Sequence, residues 1–448
     1  MTVVIENCGR YSKALIEDDV DLLACHQVNP KRYPFLLESH RYINEHSRFD
    51  ILFAFPGNNI RVDKVADQHF FDELDNTFLE KYATAADTDE LPFSGGWFVF
   101  LSYELAGAIE NKLSTIDKHS YLPVAIATRI PVAVIKDHKT KQNWLVCESG
   151  NESDLEAVHH DLITSRQSVN AQTVKVSTVQ SSSQYFLKGV KKIDQYLADG
   201  DTFQVNLSRQ WDANLEGGTD YIDVYRALKA ANPSPFAGLA CIDGSYICST
   251  SPERLVKTQG AHIEMRPIAG TRRRSNNRDK DQQLAKTLLN NDKENAEHIM
   301  LLDLIRNDLG RICEAGSINV DEQMLLESYA TVHHIVSSVS GTIRPGITTP
   351  SDIIKAVFPG GTITGCPKVR CMEIINELEN EPRGAYTGSM GYINHNGNMD
   401  LNILIRSVVI NNKKLLFRAG AGIVADSVAE FELKETTHKA MGILNALG

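Results

Sequence analysis

The sequence contains no run of about 18 apolar residues, the length a membrane-spanning helix needs. Its opening, MTVVIENCGRYSK, is polar and lacks the apolar centre of a secretion signal. Basic residues are in deficit: 46 Lys and Arg stand against 57 Asp and Glu, a net charge of -11. That balance argues against a general affinity for nucleic acid or an anionic membrane, so an anionic ligand must be drawn by a local cluster of cations. Cysteine is sparse and poorly spaced for zinc, because neither Cys241 with Cys248 nor Cys366 with Cys371 makes a repeated short C-x-x-C pair. These absences predict a cytoplasmic protein with buried thiols, in which any metal chemistry uses oxygen ligands.

A phosphate loop is also missing, although one stretch imitates it. FPGGTITGCPKVRCMEIINELE, Phe358 to Glu379, has glycines, then a lysine, then an apolar helix. A nucleotide loop needs its lysine directly after the last glycine and a hydroxyl after the lysine. Here Cys366 and Pro367 separate Gly365 from Lys368, and Val369 follows. Two readings of the stretch remain: an anion held at a helix N-terminus, with Pro367 in the first helical position, or a Gly-Pro turn that starts an ordinary helix.

What is present is a 42% hydrophobic content, ample for a large core, in a chain long enough for about three domains. Residues 1–165 read as strands alternating with short helices, with DILFAFPG, GGWFVFLSYELAG and VAIATRIPVAVIKDHKTKQNWLVC as the strand signals. Residues 166–184 are polar and rich in Ser, Gln and Thr, and are predicted to be a linker. In 185–448, an amphipathic helix ends at Gly200 and is followed by the strand TFQVNLSRQW, with Phe203, Val205 and Leu207 on one face. The stretch from Ala385 to Val424 has turn signals at HNGN and NNKK and reads as an antiparallel meander. Helices are predicted over 279–289, 293–309, 350–357 and 367–378. Antiparallel strands mixed with helices indicate an α+β fold with helices around the sheets.

Several residues could carry chemistry. Glu294 and Glu297 stand three apart on one predicted helix, and Glu432 and Glu435 repeat the device near the C-terminus, with Lys439 one turn beyond Glu435. Two such pairs could converge on Mg²⁺, or they could be two solvated acidic faces. The spacing of Glu435 and His438 also occurs in di-iron bundles, but those need four long core helices. Arg406, in the strand LNILIRSVV, is either a surface residue or a fork for a carboxylate. Gly420, Ala421 and Gly422 could turn successive amides toward an anion or mark a strand bulge. Glu253 and His334 are candidates for acid-base work.

Taken together and in order, DGDTFQVNLSR, SPERL, RPIAGTRRR, DKENAEHIMLLDLIRNDLGRI, VHHIVSSV, FPGGTITGCPK, GAYTGSMGYI, MDLNILIRS, AGAGIVADS and ELKETTHKA resemble the chorismate-utilising enzymes. The resemblance covers 185–448 nearly whole. In 1–165 it is weaker, through FLLES, SRFDILFAFPG and LPFSGGWFVFLSYELAG. It implies a Mg²⁺ held by Glu297 and Glu435 with Glu294 and Glu432 beside them. It implies chorismate contacts from Gly270, Thr271, Tyr386, Arg406, Gly420, Ala421, Gly422 and Lys439. Glu253 would be the acid for loss of the 4-hydroxyl, and His334 and Thr362 would line the same site.

Within the family, Gln204 stands where the isochorismate and salicylate synthases have a water-activating lysine, which implies ammonia as nucleophile. FPGGTITG, and Phe236 and Ala237 in NPSPFAGL, resemble aminodeoxychorismate synthases more than anthranilate synthases. Ala269 in PIAGT resembles the anthranilate synthases instead. The expectation is amination of chorismate at C4, with anthranilate formation as the alternative and a catalytically silent chorismate-binding regulator as a reading from another class. The chain has no glutaminase segment of its own, so the resemblance implies a separate glutamine amidotransferase subunit. Ser39, Pro235 and Phe236 mark a possible effector pocket.

Overall fold

Continuous apolar runs that bury both faces of a strand need a layer on each side, and the chain supplies them. The computed structural model describes residues 4–39, 47–67, 69–82, 91–116, 118, 120–165, 172–275, 277–328, 332–347 and 349–448, without the side chains of 80–82, 269, 271, 292–294 and 332. Within these residues two antiparallel sheets, of 13 and 10 strands, lie face to face with helices on their outer sides. The fold is α+β, as expected.

The strand Gly96–Leu101 shows the principle. All of its residues are buried. Phe98 and Phe100 enter the core between the sheets with Phe35, Ile51 and Phe53, and the Phe35 and Phe98 rings stack at 3.9 Å. Trp97, Val99 and Leu101 enter a second core beneath the helices His69–Tyr82, Asp292–Gly310, Pro350–Val357 and Lys368–Leu378. The larger sheet is covered in turn by Leu22–Val28, Glu152–Thr164, Tyr221–Ala231 and Ala429–Leu447.

Both sheets draw strands from 1–165 and from 185–448. Phe35–Glu38 pairs with Phe236–Ile242 in the larger sheet, and Gly96–Leu101 pairs with Ser389–Asn394 in the smaller. Of the polar stretch 166–184, residues 166–171 lie outside the described residues, whereas Gln180–Ser181 pairs with Trp211 and Asp212 along the sheet edge. The helix Ser183–Ala198 does end where its glycine predicts, with Gly200 at φ +78°.

Two expectations need correction. Phe203 does not join Val205 and Leu207 in the core: the strand begins at Gln204, and Phe203 is 69% exposed. The meander from 385 to 424 is two hairpins in different sheets, Ser389–Asn394 with Met399–Asn402 in the smaller and Ser407–Asn411 with Lys414–Ile423 in the larger. The apolar run Ile403, Leu404 and Ile405, with Arg406, looks like part of a continuous strand in sequence but is the passage between them.

Candidate active site

That passage has a partner. Ser245–Ser251 pairs with Ser407–Asn411 in the larger sheet, and Arg254–Gln259 pairs with Met399–Asn402 in the smaller. One antiparallel ribbon therefore runs through both sheets and crosses between them at 250–253 and 403–406. Pro252, which has no N–H to give a ladder, interrupts one strand, and Arg406 at φ +50° bends the other. The two crossings stay joined, because Ile403 N–H donates to the Glu253 carbonyl at 3.0 Å and Thr250 N–H to that of Arg406 at 3.2 Å. Glu253 and Arg406 are thus held side by side where the ladders part. Arg406 is neither the surface residue nor the mid-strand residue that its sequence context allowed.

Glu253 is 5% exposed, and Thr362 Oγ1 donates to its Oε1 at 2.8 Å. Burial pushes the carboxyl up to about 7, against the opposing pull of Thr362, Lys439 and Arg406. It is an acid that keeps its proton near neutrality. Burial also lowers the pKa of Arg406, with Glu253 acting the other way. Among the described residues no side chain hydrogen-bonds its guanidinium, which leaves its fork open to a carboxylate. His334 is buried, and that burial with the nearby Arg406 pushes its imidazole down to about 3, so the ring is neutral. His334 lies opposite Thr271 in the ladder, beside a bulge where Gly270 takes φ +64°. A side chain would be strained there. The Thr271 side chain is outside the described residues.

The strand Gln204–Asn214, its neighbour Lys414–Ile423 and the helices Asp292–Gly310 and Ala429–Leu447 bring the remaining groups. Gln204 Nε2 donates to Glu297 Oε1 at 2.6 Å. A Cβ at Gly422 would stand 2.2 Å from that nitrogen, so only glycine admits the pair. Lys439 is ion-paired with Glu435 at 2.7 Å, both side chains being 48% exposed, and Glu435, Tyr386 and Glu297 together raise its pKa. Glu297 and Glu435 thereby face one ammonium. Glu432 is buried and accepts from Ser427 Oγ at 2.7 Å. The Glu294 side chain is outside the described residues, among which no group of three or more His, Cys, Asp or Glu gathers as a metal cluster.

Lys368, with a side chain 10% exposed, is paired with Asp308 Oδ2 at 2.5 Å, tying the GCPK turn to the helix that carries Glu297. Two sequence readings take a different form. Pro367 caps the helix from outside and Gly365 (φ +131°) packs against the Gln204 carbonyl, 2.1 Å from where a Cβ would be, so the stretch is a turn and contributes Thr362. Gly420 and Gly422 are extended and paired opposite Ser208 and Asn206, so successive amides point to opposite edges and form no anion nest. The side chain of Ala421 lies in the core. Separately, Ser39, Pro235 and Phe236 line one cavity of about 350 Å³ together with Glu38, Arg48 and Asp400.

A buried ion network escaped the sequence reading. Glu379 accepts from Arg383 (2.7 Å) and Arg418 (2.8 Å), and these cations hold its carboxyl down to about 2 despite burial. Arg383 also donates to the carbonyls of Asn206 (2.7 Å) and Ile363 (3.1 Å) and lies over the rings of Tyr103 and Tyr386. It fixes the backbone behind Gln204, Thr362 and Tyr386 at once. The i,i+4 spacing of Glu379 and Arg383 was visible, but their burial was not.

Residues 34–445 match the family described as chorismate binding enzyme. The chain is 42% identical over 360 residues to the anthranilate synthase component I-like protein of Synechocystis, covering 80% of this chain and 74% of that one. It is 40% identical over 403 residues to aminodeoxychorismate synthase component 1 of Bacillus subtilis, covering 86% and 84%. The crystal structure of anthranilate synthase component I from Streptococcus pneumoniae superposes with a TM-score of 0.77 at 30% identity, over 96% of this chain and 99% of that one.

Proposed function

The chain belongs to the chorismate binding enzymes, and from that premise we propose that it aminates chorismate at C4, giving 4-amino-4-deoxychorismate for para-aminobenzoate and folate synthesis. The observation that carries the reading is Glu253, a buried carboxyl that keeps its proton up to about pH 7 beside an open guanidinium. Chorismate is a dicarboxylate whose hydroxyl is a poor leaving group. Arg406 binds one carboxylate, Tyr386 and Gly270 border the ring, and Glu253 hands its proton to the departing oxygen, which leaves as water. A bond from nitrogen to carbon forms as the carbon–oxygen bond breaks, and the surplus proton on nitrogen returns to the Glu253 carboxylate.

Mg²⁺ fits the other carboxylate. Glu297 and Glu435 face the same place, and Mg²⁺ takes only a few protein carboxylates, filling its shell with water and substrate oxygens. These two residues would hold it, joined, as the resemblance implies, by Glu294 and Glu432, and bound there it would neutralise the ring carboxylate. Water is not the nucleophile in this reading, because Gln204 is an amide and no base. Ammonia would be supplied by a glutamine amidotransferase subunit.

A second reading, amination at C2 to anthranilate, is favoured by Ala269, which has no amine to attack C2, and by the name of the Synechocystis relative. FPGGTITG and the Bacillus subtilis relative favour C4. Product analysis with chorismate, Mg²⁺ and ammonium, with and without an aminodeoxychorismate lyase, decides between them. Para-aminobenzoate formed only with the lyase supports C4; anthranilate formed without it overturns C4. Omitting Mg²⁺ from the same reaction should abolish turnover.

A further inference from the structure

Two buried acceptors in the site have nothing to accept. Gln204 Oε1 and Asn206 Oδ1 are both shielded from solvent and, among the described residues, neither has a hydrogen-bond partner. Orphaned buried oxygens are uncommon enough to require a reason. They belong to residues two apart on one strand, so they project from the same face.

Side-chain pairing fixes the first and backbone pairing places the second. The Gln204 amide cannot be reversed, because its nitrogen must meet the Glu297 carboxylate, which leaves the oxygen turned away from it. The Asn206 backbone is clamped on both sides: its N–H donates to the Thr364 carbonyl at 2.9 Å, and its own carbonyl accepts from Arg383 at 2.7 Å. Its side-chain oxygen lies 2.7 Å from where a Cβ of Gly420 would be, and Tyr386 Oη lies 2.9 Å from that same point. A side chain at Gly420 would therefore crowd both groups.

We propose that Gln204 Oε1 and Asn206 Oδ1 form the ammonia-binding subsite, and that Asn206 is a binding residue for the nucleophile. Ammonia attacks through its only lone pair, so a site that holds it ready must grip its three N–H bonds, and for that it needs acceptors. Amide oxygens offer acceptance without basicity. Water held in the same place would still have to lose a proton as it attacks, and neither amide can take one. The pair thus favours ammonia over water. The inference rests on the amination reading and deepens it.

The test varies ammonium chloride at saturating chorismate and Mg²⁺ with the purified full chain, for wild type, Asn206→Ala and Asn206→Asp. Loss of one buried acceptor should raise the KM for ammonium about tenfold in Asn206→Ala. The KM for chorismate should stay within about twofold, as no substrate contact is lost. Asn206→Asp, which keeps an oxygen in place, should restore most of the ammonium KM. Asn206→Leu repeats the measurement if the alanine variant is unstable. An unchanged ammonium KM in the variants lacking the oxygen overturns the subsite, and so does a parallel rise in the chorismate KM. Wild type that forms no ammonium-dependent product defeats the amination reading itself, and that result is visible before any variant is made.

Discussion

Replacing Glu253 by glutamine should make the protein more stable and nearly inactive, and the size of the gain should depend on pH. The folded carboxyl titrates at about 7, whereas its ordinary value is 4.5. Between those values the folded chain binds a proton that the unfolded chain has released, so stability falls as pH rises through that window. Above it the deficit is constant, at about 3 kcal/mol, from about 1.4 kcal/mol per pH unit. Glutamine is nearly the same size, stays neutral and can still accept from Thr362. The urea midpoints of variant and wild type should therefore coincide near pH 4.5 and diverge up to about pH 7, with the variant higher. Using the difference between the two proteins cancels every other titrating group. Turnover should fall by about 10²–10⁴, the usual contribution of a positioned general acid. The reasoning fails if the difference in midpoint does not change with pH, or if the variant turns chorismate over within about tenfold of wild type.

Two further outcomes follow from the same geometry. Arg406→Ala should raise the KM for chorismate about 10- to 100-fold, the loss of a charge-assisted hydrogen bond, and initial-rate kinetics would contradict the carboxylate role if KM stayed level. Lys368→Met should lower stability by about 3–5 kcal/mol because it strands the buried Asp308 carboxylate. If Lys368 instead contacted substrate, Lys368→Met with Asp308→Leu would regain stability but not the chorismate KM; the structure predicts that the double variant regains both.

The family was legible because its motifs are short local patterns. SPERL and the two E-x-x-E pairs need only neighbours along the chain to be seen, and the order of the motifs identified a family that the comparisons bear out. Fold class was legible for a similar reason, since strand and helix periodicities are properties of each segment. Lys368 shows the limit. The failed phosphate-loop pattern says nothing of its partner, and Asp308, 60 residues earlier, takes up its charge.

What the sequence determined by itself was the family and the α+β class, and it named candidates for the site. What only the tertiary structure decided was which of them meet and in what charge state. One ribbon crossing between two sheets sets Glu253 beside Arg406, although 153 residues separate them in the chain. The same packing holds Glu253 protonated, His334 neutral and two amide oxygens unpaired. Those properties come from desolvation and from the partners a group lacks, and both depend on atoms that are distant in sequence and close only in the fold.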